Sequence, residues 1–390
     1  RKERDEPPPS AEAEIRAYVR AAVGGWGGGG PSVLRAFASL IGSSMTASVA
    51  VSAIAARAGT PQRASRATRS TSMSRSPPHR WSVPVMSRNR PSAPSIATAG
   101  EKRTLTERSD RRGLGQLAGH LSLIGLCLWG NVVGEGAVRW AAMLGQGVGM
   151  VFLFTAMHEC SHSTAFRSRR LNRAVGMLAG LTLLIGPKWF FYFHQDHHKF
   201  TQDPDRDPEL GTPKPSGVGG YLAYLSGVPF WVGNMRVILG NAAGRRSDHY
   251  VPEHMQNAVR HEARLMMLFY LLAVPALAYA GWLMPYLVAP LVIGAPFLRA
   301  YLLAEHAGCD EGDGNMLANT RTLLTTAPVR LIAWNMPYHT EHHSFPAVPF
   351  HALPRLHRVM KDDIRHLESG YIGFHRRFVR KLSGMRAGGA

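Results

Sequence analysis

Four stretches of the chain lack the usual alternation of apolar and polar positions and stay apolar for about a membrane's width. Leu114 to Val133 is uncharged and largely apolar, and Trp140 to Met157 follows after a short link holding Gly134 and Glu135. Leu265 to Met284 is the third such run. Tyr286 to Ala304 is the fourth, interrupted only by Arg299, with Pro285 expected to mark the turn between these two. Runs of about 18–20 residues are the length a helix needs to cross a hydrocarbon core. Four of them, paired by short links, predict an all-α membrane protein of about four spans in two hairpins. Weaker apolar stretches at Ala174–Ile185 and Tyr221–Val232 are rich in Gly and carry or adjoin Pro, which predicts interfacial or re-entrant pieces.

The polar stretches divide the chain differently. Residues 17–100 contain no Asp or Glu and ten Arg, scattered among Ser, Ala, Pro and Gly. Such a segment cannot bury enough apolar surface to offset chain entropy, so residues 1–100 are expected to be a disordered extension. An Arg- and Ser-rich, acid-poor leader has the character of an organelle transit peptide. A nonfunctional extension or a start further along, for instance at Met86, is the preferred reading. Ala36 to Ala56 is uncharged, but Ala, Ser and Gly drive insertion weakly, so it is not counted as a span. Residues 101–385 form the expected membrane domain, with 386–390 a tail.

Charge changes meaning once the chain is divided. The net charge of +19 over 390 residues first points to nucleic acid. About half of the excess sits in residues 1–100, and the rest lies largely in the Arg167–Arg264 connection and after Ala304. Basic residues concentrate on the cytoplasmic side of membrane proteins. Both termini and the long middle connection are therefore expected to face the cytoplasm, against anionic lipid, and nucleic acid is discarded as a partner. Three cysteines without a CxxC pair exclude both a disulfide scaffold and a thiolate metal site.

The candidate chemistry lies in histidine. Of 18 His, nine fall in four places: His158 and His162; His194, His197 and His198; His339, His342 and His343; and His306. On a helix, residues three and four apart share a face, so each cluster aims its imidazoles one way. Neutral imidazole suits iron, zinc, copper and nickel. His158 and His306 each follow directly on an apolar run that ends on the same expected side, so all nine can meet at one membrane surface. Eight or nine nitrogens exceed what one ion accepts, and two ions with four or five imidazoles each fit better.

The ordered boxes HxxxH, HxxHH and HxxHH, with the flanks His197-His198-Lys199-Phe200-Thr201-Gln202-Asp203-Pro204 and Asn335-Met336-Pro337-Tyr338-His339 to Pro346, resemble the integral-membrane fatty acid desaturase and hydroxylase family, in its bacterial branch. The resemblance covers about residues 110–365. It implies a cytoplasmic helical cap over two hairpins. It implies a di-iron site held by His158, His162, His194, His197, His198, His339, His342 and His343, with His306 as the extra ligand. Some relatives carry an Asn four residues before that extra His, acting through water; Leu302 stands there in this chain, which puts that contribution in question. Dioxygen is the implied co-substrate, and electrons come from an external ferredoxin or cytochrome, an acidic partner protein. The implied reaction desaturates an acyl chain on a lipid or carrier. Hydroxylation or ketolation of a lipid, carotenoid or small molecule is the alternative. The implied location is a bacterial inner membrane, or an organelle membrane if the leader is a transit peptide.

Other readings compete. His158-Glu159-x-x-His162 also fits the zinc metalloprotease motif, with Glu159 as general base. A metal carrier or transporter is a third class, but it would place ionisable residues mid-span. Under the di-iron reading Glu159 orients a ligand. Asp203, Asp205, Asp207 and Glu209 either bond the free ring nitrogens or form a solvated loop. Arg299 is read as snorkelling toward the interface, His120 as a packing residue, and His351, His357, His366 and His375 as surface residues.

Overall fold

A computed structural model describes residues 99–384, apart from 213 and 313. The expected extension up to residue 98, the uncharged Ala36–Ala56 stretch and the 386–390 tail lie outside the described residues; the extension's last two residues, Ala99 and Gly100, begin a helix. After a short helix α1 (Ala99–Leu105), Ser109 caps α2 (Asp110–Val133) by accepting from the Arg112 amide. α3 (Gly136–Ser161) returns beside it. A broken pair follows, α4 (Arg169–Leu183) and α5 (Pro187–Phe200), bent by 95°. A second broken pair, α6 (Gly217–Leu225) and α7 (Val228–Ala242), is bent by 58°. The third and fourth spans are α8 (Glu253–Tyr279) and α9 (Ala289–His306), the latter entered through a π turn at Met284–Val288. Four helical segments, Gly100–Val133, Gly136–Ser161, Glu253–Tyr279 and Met284–His306, are long and apolar enough to cross a membrane.

The bends have local causes. Leu184 closes α4 in the left-handed conformation, and Pro187 then opens α5, where its missing N–H costs nothing. The turn before the fourth span sits at Gly281, whose φ of 73° favours glycine, rather than at Pro285. Pro285 instead lies in the first turn of the next helical segment, which tolerates its fixed φ. The carbonyls of Pro285 and Tyr286 accept from Asn131 Nδ2 (3.0 Å) and Gln146 Nε2 (2.7 Å), two buried amides of the first hairpin. Those bonds matter because hydrocarbon offers no substitute partner.

The two hairpins are unlike. α2 and α3 pack along their length, and α3 packs equally on α9. α8 packs chiefly on α7, through Ile238, Ala263 and Met266. α3 and α9 meet at glycine: a Cβ on Gly294 would stand 2.3 Å from the Gly147 carbonyl oxygen. The inner helices are thereby buried, whereas α2 and α8 leave most of their surface open.

The cap follows the fourth span. It comprises α10 (Met316–Asn319), β1 (Arg321–Leu324), α11 (Ala327–Ile332), α12 (His339–Ser344), α13 (Leu353–Met360), β2 (His366–Ser369) and α14 (Tyr371–Leu382). β1 and β2 run parallel, Arg321 opposite His366 and Leu324 opposite Ser369, and add a small ladder to an otherwise helical fold. Trp334 and Asn335 both take positive φ, 50° and 56°, in the turn that delivers α12. Trp334 is fully buried, and its Nε1 donates to His120 Nδ1 at 3.1 Å, while the other His120 nitrogen donates to the Gly149 carbonyl at 2.9 Å. His120 thus ties the first span to the second and to the cap.

Candidate metal centre

Each histidine box stands on a helix whose end is held in place. His158 closes the buried face of α3, and His162 is that helix's C-cap. α5 carries His194, His197 and His198, and its N-terminus is held by Glu262 of α8, which accepts from the Lys188 amide at 2.7 Å. A carboxylate there also meets the positive end of the helix dipole. His306 ends α9. Gln202 Nε2 donates to its carbonyl at 2.6 Å, and Arg321 donates to the Ala304 carbonyl at 2.6 Å. α12 places His339, His342 and His343 in the interior, all nearly inaccessible.

The nine imidazoles meet in two adjoining groups. His158, His162, His194, His198 and His342 form the first, with ligand nitrogens all within 4.8 Å of one another; His197, His306 and His343 form the second to the same limit. His339 joins the second group, its Nε2 lying 3.1 Å from Nε2 of His306. In the first, Nε2 of His194 lies 2.8 Å from Nε2 of His162 and 3.0 Å from Nε2 of His198. Nitrogens bound to one ion at about 2.1 Å stand about 3 Å apart, so these separations match a shared cation. Both ring nitrogens of His342 and Nε2 of His343 are buried without a partner. Buried polar atoms are seldom left so, and a metal would satisfy them. The donor set therefore fits two ions, one in each group. Burial, followed by the neighbouring imidazoles, holds the pKa values of His339, His342 and His343 well below the ordinary histidine range, which keeps the rings neutral as ligands must be.

Behind the rings lies an outer layer that sequence reasoning caught only incompletely. Of the four acids after the second box, Asp207 and Glu209 reach His197 Nδ1, at 2.9 and 3.1 Å. Asp203 pairs instead with Arg206, and its side chain accepts from the Asp205 amide. Burial alone would raise the pKa of Asp207. Hydrogen bonds from His197 and from the Gln202 and Glu209 amides outweigh it and hold the carboxyl below the usual carboxylate range. Glu159, expected to orient a ligand, touches no imidazole; its Oε1 accepts from the Phe350 amide at 2.8 Å. The motif read as HExxH thus turns its Glu away from the rings. Thr201, Asn319, Glu305 and the Glu341–His357 pair carried no local signal, because their partners are distant in sequence. The four histidines expected at the surface are half-buried and engaged: His357 binds Glu341, His366 binds Asp310, His375 binds Tyr221 and the Ala300 carbonyl, and His351 contacts Arg112. Arg299 lays its guanidinium over the Tyr224 ring, 3.9 Å from the centroid.

Fold and site together define an integral membrane protein with a polyhistidine centre at one end of its helix bundle. The chain belongs to the fatty acid desaturase family, whose model matches residues 136–375. It is 26% identical over 217 residues to the sphingolipid delta(4)-desaturase DES1 of Drosophila melanogaster, covering 54% of this chain and 62% of that protein. It is 25% identical over 228 residues to the sphingolipid delta(4)-desaturase/C4-monooxygenase DES2 of Rattus norvegicus, covering 55% and 63%. A zeaxanthin 4-ketolase of Chlamydomonas reinhardtii is 32% identical over 144 residues, 30% of this chain and 32% of the ketolase. The chain spans less than two thirds of the length of these relatives.

Proposed function

We propose that the protein is an oxygen-dependent desaturase that places a double bond in the acyl chain of a membrane lipid. The observation that carries the reading is the division of nine imidazoles, seven of them on buried residues, into groups of five and four, with nitrogens spaced for shared ions. His158, His162, His194, His198 and His342 would hold one iron, and His197, His306, His339 and His343 the other. When bound, such a pair supplies the activation of dioxygen that removal of hydrogen from an unactivated C–H bond requires.

The chain's own residues have three tasks here. The boxes hold neutral imidazoles in fixed directions. Phe154 and Phe190, ring-stacked on His158 and His194, exclude water from the first group. The outer acceptors keep the Nε2 atoms of His197, His306 and His343 aimed inward. Basic flanks support a cytoplasmic site and termini, as in a bacterial inner membrane. The exposed Arg376, Arg380 and Lys381 of α14 suit an acidic electron donor, a ferredoxin or cytochrome.

Hydroxylation or ketolation is the second reading, since the names of two relatives include a monooxygenase and a ketolase. Lipid profiling by mass spectrometry in an expressing host distinguishes them. Loss of two hydrogens from an acyl chain is expected, and gain of one oxygen would favour the second reading. An unchanged profile difference on His342→Ala would remove the metal assignment.

A further inference from the structure

The two histidine groups differ in what stands behind them. In the second, His197 Nδ1 donates to Asp207, with Glu209 at 3.1 Å. His306 Nδ1 donates to the Asn319 carbonyl at 3.2 Å. His343 Nδ1 meets the Thr201 hydroxyl at 3.2 Å; that hydroxyl donates to the His197 carbonyl and so accepts from the ring. His339 Nδ1 lies 3.3 Å from Glu305 without a hydrogen bond to it. Three rings are thus fixed in the tautomer that leaves Nε2 free, and one of them, His197, is hydrogen-bonded to a carboxylate.

The first group has none of this. Among the described residues, the rings of His158, His162, His194, His198 and His342 make no hydrogen bond outside the histidine clusters. The nearby acids are occupied elsewhere. Glu159 accepts from the Phe350 amide, and Glu341 from Thr322 and His357. Asp196 points to His249, 3.8 Å away.

We propose that the two metal positions are unequal, the position formed by His197, His306, His339 and His343 taking its ion first and releasing it last. This rests on the two-ion reading above. A divalent ion brings two positive charges into a buried site, and carboxylates behind its ligands offset them. An imidazole that donates to a carboxylate is also a more basic ligand, and each such partner contributes roughly 10- to 100-fold to metal affinity. One carboxylate-bound ligand and two further rings fixed by neutral acceptors therefore outweigh the single extra neutral imidazole of the first group, whose rings must also be ordered by the ion itself.

Iron release measures this without reference to turnover. The full-length protein, loaded with ⁵⁷Fe, is mixed with a ferrous chelator, and half-depleted samples are read by Mössbauer spectroscopy. Two phases of equal amplitude are expected, separated by at least about 10-fold, with one class of iron left after the first. Asp207→Asn should speed the slow phase by roughly 10- to 100-fold and leave the fast phase unchanged. Thr201→Val, which removes the acceptor behind His343, should act in the same direction, which guards against one variant failing to fold. His162→Ala should abolish the fast phase only. A single phase releasing two irons, or an Asp207→Asn effect confined to the fast phase, would overturn the inference. A metal content other than two irons per chain would instead remove the two-ion reading beneath it.

Discussion

The contact between α3 and α9 at Gly147 and Gly294 can be tested with one methyl group. A Cβ on Gly294 would lie 2.3 Å from the Gly147 oxygen, and one on Gly147 would lie 2.0 Å from the Pro290 oxygen. Ordinary contact begins near 3.4 Å, so Gly294→Ala must push the facing backbones away from each other by about 1 Å. No flexible side chain can yield, since the obstructing atoms are main chain. Overpacking of this kind costs about 1–3 kcal/mol. The better helix preference of Ala over Gly returns at most about 1 kcal/mol. Gly119 is the control: it lies on an exposed face of α2 with nothing within 4 Å, so Gly119→Ala gains the preference and meets no clash. The two variants should differ by about 1–3 kcal/mol, or roughly 2–12 °C in melting temperature for a domain of this size. Thermal unfolding in detergent, followed by circular dichroism, measures the difference. Iron retention should fall with stability in Gly294→Ala, because α3 carries His158 and α9 carries His306. A Gly294→Ala protein that melts at or above the Gly119→Ala control would refute the close-contact argument.

Three further outcomes follow from other contacts. Asn131→Leu leaves the Pro285 carbonyl and the Gln146 side chain without a donor in an apolar setting. It should lower stability by about 1–3 kcal/mol, read by the same melts. His357→Ala removes one of the two side-chain partners of the fully buried Glu341, 2.5 Å away on the helix of the third box. Iron content of the purified protein should drop, and His357→Gln, which keeps a donor, should recover some of it. Gly281→Val places a β-branched residue at φ 73° in the turn before the fourth span and should cost about 1–3 kcal/mol. An equal melting temperature would show that the turn relaxes.

The boxes were legible because their signal is local: spacing of three and four residues on a helix states which rings share a face before any tertiary contact is known. The spans were legible for the same reason, as uninterrupted apolar runs. What escaped depends on contacts across long separations. Asn319 and Thr201 look like loop polars until the fold sets them beside His306 and His343. Glu262 reads as one charge before an apolar run, yet it caps a helix that begins 75 residues earlier in the chain. Proximity in sequence also misled. Glu159 adjoins His158, but a helix turns successive residues by about 100°, so it faces the Phe350 amide. Pro285 suggested a turn, and the chain turns at Gly281 instead, because a positive φ needs glycine whereas a helix start accepts proline.

The parallel pairing of β1 with β2 bears on the order in which the protein is made. β1 lies just before the third histidine box and β2 well after it, so the pair clasps the box between them. The Gly370 amide, donating to the Leu324 carbonyl at 2.9 Å, continues the clasp to the start of α14. A chain emerging from the ribosome has both earlier boxes and His306 available long before β2 exists. The third box can be locked in place only when nearly all of the described chain has been synthesised. Completion of the polyhistidine centre is thus a late event in biogenesis, and truncation before residue 366 would leave every proposed ligand present but the clasp open.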